Sequence, residues 1–128
     1  MAIKVKHIKP EFVDERGFIS RLVDDDTINF RAVLYIVSKK GAVRANHYHK
    51  KDYHSVYCLS GRFKYSEKDM RKPSSKIESV VLKPGDLVLT HPMVAHRMEF
   101  LEDSVFLAIT TEAREQKKYE DDLVRLKF

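Results

Sequence analysis

Apolar and polar residues alternate with a period of two through most of the chain. IKVKHI, FISRLV, AVLYIVS, HSVYCLS, RFKYS, IESVVL, DLVLT, HRMEFL and SVFLAIT each place every second side chain on one face. That pattern predicts about nine short strands, and the breaks at DERG, SKKG, SGR, RKPSSK, KPGD and LEDS fall at the spacing of an all-β sandwich or barrel. EAREQKKYEDD, near the end, lacks the alternation, and its composition predicts a short C-terminal helix or an extended arm.

The segment VRANHYH also reads as a strand. Residues two apart share a face, so His47 and His49 are expected to project together with Ala45, and Tyr48 the other way. In HSVYCLS, His54 is in step with Val56 and Cys58, which sends it toward the same interior. Three imidazoles would therefore converge at one end of a barrel whose inner face is otherwise apolar.

The 128 residues suit one domain over 1–128, with 43% hydrophobic and 34% charged residues. No apolar run is long enough to cross a membrane, and MAIKVKHIKP lacks the apolar stretch of a secretion signal, so a cytoplasmic location without membrane contact is expected. Lysine and arginine number 24 against 19 acidic residues, but the two signs are interleaved along the whole chain. The excess fits a mixed-charge surface with a focused anion site, and gives no reason to expect a nucleic-acid partner. Cys58, the single cysteine, lies in an apolar strand and reads as a small buried hydrophobe.

The spacing from Gly41 through His47, His49 and His54 to Gly61 resembles the first cupin motif, G(X)5HXH(X)3,4E(X)6G, with His54 in place of the glutamate. PGDLVLTHPMVAH is similar to the second motif, with His96 at its metal-binding histidine and with His91 and Met93 replacing its proline and glycine. The resemblance implies a single-domain cupin jelly roll. One branch of the superfamily fits further. FVDERGF is similar to the DERGFF opening of dTDP-4-dehydrorhamnose 3,5-epimerases, and VRANHYH resembles both their LRGLHYQ and the KRGxHAHK of dTDP-sugar 3,4-ketoisomerases. YEDDLVRL is similar to the ending of cupins of surface-polysaccharide synthesis. By this resemblance His47 is the base, His49 assists, Tyr35 is an active-site tyrosine, and Arg44 binds the pyrophosphate or sugar. Arg16 and His91 are further candidates for substrate contact. The substrate implied is a nucleotide-linked 4-keto-6-deoxy sugar.

The chemistry of that branch is proton abstraction next to a ketone and reprotonation elsewhere. Histidine has the intrinsic pKa for the base, and Arg44 has the planar fork that suits a diphosphate. This reading needs no cofactor. A second reading uses His47, His49, His54 and His96 as a four-nitrogen site for Zn, Ni, Fe or Cu, serving a cupin oxygenase or isomerase of a small metabolite. A third is a noncatalytic sugar-binding cupin. A homodimer is expected, because a short barrel leaves edge strands and aromatic side chains to cover.

Overall fold

A computed structural model describes residues 3–112 and 115–128, with Gln116 described by its backbone alone. The strands are β1 (Lys6–His7), β2 (Phe12–Asp14), β3 (Gly17–Ile19), β4 (Ala32–Ser38), β5 (Val43–His49), β6 (His54–Ser60), β7 (Phe63–Asp69), β8 (Glu78–Leu82), β9 (Asp86–Thr90), β10 (Val94–Phe100), β11 (Ser104–Thr110) and β12 (Leu123–Arg125), and a helix α1 spans Gln116–Asp122. Two five-stranded antiparallel sheets, ordered β1-β9-β6-β11-β4 and β12-β5-β10-β7-β8, form the jelly-roll sandwich that the motifs imply, and the β2–β3 hairpin forms a separate two-stranded sheet.

Alternation decides what each sheet buries. Val56, Cys58, Val88, Phe106 and Ala108 from the first sheet meet Phe63, Tyr65, Leu82, Met98 and Phe100 from the second, all under 5% exposed. The rings of Phe63, Phe100 and Phe106 pack with centroids 5.1 to 5.8 Å apart. Each such ring contributes about 1.5–3 kcal/mol relative to leaving it in water. Gly61 closes the β6–β7 turn at φ +83°, where an added Cβ would sit 2.4 Å from the Asp103 carbonyl oxygen, so only glycine fits.

The expected elements differ from the observed ones at the ends of the chain. IKVKHI contributes only Lys6–His7 and FISRLV only its first two residues to strands. EAREQKKYEDD yields the helix α1 over its last seven residues, with Ala113 and Arg114 lying outside the described residues. The chain then continues into β12, which pairs with β5 through Leu123↔His49, Val124↔Tyr48 and Arg125↔His47.

The larger correction lies within β5. Opposite β10 the register runs His96↔His47 and then Arg97↔Ala45, so Asn46 is a bulged residue with no partner of its own. Ala45 and Asn46 take φ of 70° and 57°, in the left-handed region. A one-residue slip reverses the faces beyond it. Ala45 therefore stands opposite outward-facing Arg97, and Arg44, opposite buried Met98, takes the face expected for Ala45. The C-terminal strand braces the bulge, since Leu126 N–H donates to the Asn46 carbonyl at 2.8 Å and Phe128 N–H to Asn46 Oδ1 at 3.2 Å.

Candidate active site

Four histidines meet at one end of the sandwich, two from β5 and one each from β6 and β10. His47, His49, His54 and His96 are 8%, 2%, 8% and 1% exposed. Ring centroids are 4.8 Å apart for His47 and His49, 4.9 Å for His47 and His96, and 4.5 Å for His49 and His54. The pairings His47↔His96 and His54↔Thr110 place these side chains on the faces that enclose the core.

Carboxylates hold two of the rings. Asp122, the last residue of α1, lies 3.2 Å from His49 Nδ1, and Asp52 Oδ2 lies 2.7 Å from His54 Nε2. Asp122 also fixes the turn between β5 and β6, its carboxylate accepting from Lys51 N–H and its carbonyl from Lys50 N–H. Asp52 accepts from the Thr111 and Glu112 backbone N–H groups and from the Thr111 hydroxyl. Burial opposes ionisation of Asp52, yet the His54 hydrogen bond and the electrostatic influence of that ring, the Thr111 amide and the His49 ring together hold its carboxyl below the usual range. Among the described residues, His96 has no carboxylate contact of this kind. Burial first, and then the proximity of His47, His54 and His49, push it well below an ordinary imidazole, so it is neutral near pH 7.

The three non-glycine residues with positive φ among those described are Ala45, Asn46 and Met93. All flank this cluster, and Met93 N–H donates to the His49 carbonyl at 2.7 Å. Ala45 and Met93 stand where the related motifs carry glycine, and the left-handed backbone gives the physical reason for that preference.

Of the other residues singled out by the sequence, Arg44 faces the interior side of β5, and its guanidinium donates to Ser38 Oγ at 2.7 Å and to the Val37 carbonyl at 3.0 Å. Tyr35 lies on the outer face of edge strand β4, 69% exposed beside Val33 and Val37, so a single chain does not bring it to the histidines. Arg16 lies in the β2–β3 turn, its guanidinium paired with Asp14. His91 lines a cavity of about 830 Å³ whose wall includes Glu67, Asp69, Arg71 and Lys72. Asp52, Asp122 and Glu67 were not expected from the sequence. Glu67 is 9% exposed, accepts from Tyr65 Oη at 2.6 Å, and faces inward opposite His96. Burial raises its carboxyl above the ordinary range, the Tyr65 hydrogen bond offsetting part of this and nearby Glu78 and Asp69 adding to it.

The donor atoms of His47, His49 and His96 lie within 4.8 Å of one another, as do those of His49, Asp52 and His54. Such nitrogen-rich sets fit a first-row metal, and a neutral His96 presents its imidazole with no proton to displace.

A family model described as "FdtA: WxcM-like, C-terminal" matches residues 1–127. No curated protein matches the chain. Among solved structures, a doubly substituted QdtA 3,4-ketoisomerase from Thermoanaerobacterium thermosaccharolyticum, in complex with TDP, is 26% identical, with 96% of this chain and 86% of that one covered and a TM-score of 0.76. A 3,4-ketoisomerase from Helicobacter canadensis shares the fold at 18% identity, 98% and 91% coverage and a TM-score of 0.78. So does a dTDP-4-dehydrorhamnose 3,5-epimerase from Sulfolobus tokodaii, at 23% identity, 100% and 84% coverage and a TM-score of 0.78.

Proposed function

Since the chain belongs to the FdtA family of WxcM-like proteins, we propose that it is an isomerase or epimerase of a nucleotide-linked sugar, and specifically that it moves a proton next to the ketone of a dTDP-4-keto-6-deoxy sugar in making a cell-surface polysaccharide. The observation that carries this reading is a buried imidazole backed by a carboxylate, His49 against Asp122. Asp122 fixes the ring and its tautomer, leaving Nε2 as the atom for proton abstraction. On that ground His49 takes the role of base, and His47, 4.8 Å away, is placed to hand the proton to the adjacent carbon or to hydrogen-bond the enolate oxygen. Arg44, turned onto the interior face by the bulge, is held there by Ser38 Oγ and the Val37 carbonyl. A zinc, nickel, iron or copper ion held by His47, His49 and His96 would occupy the same ring nitrogens, and so is an alternative to their acid–base roles; it would supply Lewis-acid polarisation of a carbonyl.

The homodimer belongs to the same reading. The outer face of the β4 sheet carries Val33, Tyr35 and Val37, and the β2–β3 hairpin carries Phe12, Val13, Phe18 and Ile19, all more than half exposed. Apolar surface of this extent supports burial against a second copy, where Tyr35 and Arg16 would lie at the subunit boundary. Among the described residues no helix is long and apolar enough to cross a membrane.

The proposal is tested by supplying dTDP-4-keto-6-deoxyglucose and resolving products by chromatography and NMR. Conversion by the wild type, lost in His49→Asn while dTDP binding persists, supports it; unchanged turnover in His49→Asn rules out this base.

A further inference from the structure

The largest cavity described, about 830 Å³, opens between the β7–β8 hairpin and the β9–β10 turn. Its volume is that of a small-molecule site. Its rim and its floor differ in charge. At the rim Arg71 is committed to Asp69 through two hydrogen bonds, at 2.9 and 3.0 Å, whereas Lys4, Lys72 and Lys76 face the same opening with Glu78 as the remaining acid. At the floor stands Glu67. One of its carboxylate oxygens is anchored by Tyr65, whose hydroxyl also bonds Thr90 Oγ1, and both partners are fully buried. The carboxyl is thus fixed in place while the residue still contributes to the cavity wall.

The floor is also the wall of the histidine cluster. Glu67 and His96 are directly opposed across β7 and β10. Opposed side chains in an antiparallel pair share a face, with Cβ atoms about 4.5–5.5 Å apart. His91 joins the cavity from the β9–β10 turn, and Val94, one pleat from His96 on the same face, lines it as well. A ligand lying in this cavity therefore has at one end Glu67, which is paired with His96 across the sheet, and lysines at the other.

We propose that this cavity is the sugar-nucleotide site, with Glu67 accepting a hydroxyl of the sugar at the floor and Lys72 and Lys76 meeting the diphosphate at the rim. The assignment deepens the functional reading above and rests on it. A fixed carboxylate is a strong acceptor for a sugar hydroxyl, and clustered ammonium groups draw a multiply charged anion to the opening. Glu67 is here a binding residue that selects a hydroxylated ligand, a role separate from that of the base.

The test is calorimetric titration of the full chain with dTDP and with unreactive dTDP-glucose. Glu67→Gln keeps the acceptor for Tyr65 and the side-chain size; it should leave dTDP affinity unchanged and weaken dTDP-glucose about tenfold, the loss expected for one charge-assisted hydrogen bond. The exposed double variant K72E/K76E should weaken both ligands about tenfold or more and flatten the dependence of affinity on salt. Either variant binding dTDP-glucose as the wild type does overturns the assignment while leaving the proposed reaction intact. Failure of the wild type to bind either ligand overturns the functional reading and the site together.

Discussion

His96 offers a sharp test of the buried imidazole layer. It is 1% exposed, and both burial and its three imidazole neighbours disfavour its protonation. The unfolded chain takes up a proton at this position near the ordinary value of 6.5, whereas the folded chain resists doing so until a much lower pH. Below 6.5 the unfolded state thus binds more protons, and stability falls with falling pH down to the native pKa. For one such group the loss between about pH 7.5 and 5.5 amounts to about 1.4 kcal/mol. Urea unfolding of the wild type and of His96→Asn across that range isolates the contribution, since asparagine stays polar but does not titrate. The wild type should lose about 1.4 kcal/mol more than the variant over the interval. Parallel pH profiles for the two would refute the claim that His96 is held neutral.

Other outcomes follow from single contacts. Asp122→Asn should lower kcat by about ten- to hundredfold with little change in KM, because the carboxylate orients the base and does not hold substrate; steady-state kinetics decide this. Asp52 is held low in the fold, so its contribution to stability is complete above the ordinary 3.8 and is lost as pH falls through the lower native value. Asp52→Asn should therefore flatten the wild-type stability profile below about pH 4. Ala45→Gly relieves a left-handed alanine and should raise stability by about 0.5–1 kcal/mol, after the entropy added to the unfolded chain. Cys58, its thiol pushed up to about 11 mainly by burial, should react with a disulfide reagent at pH 8 only when the chain unfolds.

The strands of the core were legible because each buries one face only, so alternation in HSVYCLS or SVFLAIT maps directly onto inside and outside. The same rule placed His47, His49 and His54 together. It failed at Ala45 and Arg44, since a bulge is set by two left-handed residues and the pairing of distant strands, neither of which alters the local pattern of polarity. IKVKHI and FISRLV alternate as strands do, yet only two residues of each find a partner strand, because pairing depends on what lies alongside. Asp122 lies 73 residues from His49, a separation that period-two reading does not bridge. Glu67 did leave a signal. It shares parity with Phe63 and Tyr65 in RFKYSEK, and a charged residue at an inward position marks a place where the interior is not simply packed.

The central claim, that this imidazole cluster moves a proton next to a ketone, is tested most directly by incubating the protein with dTDP-4-keto-6-deoxyglucose in heavy water and following the sugar protons by NMR. Deuterium should enter at the carbon beside the ketone with wild-type protein and not with His49→Asn. Binding of the keto sugar without any exchange by the wild type would contradict it.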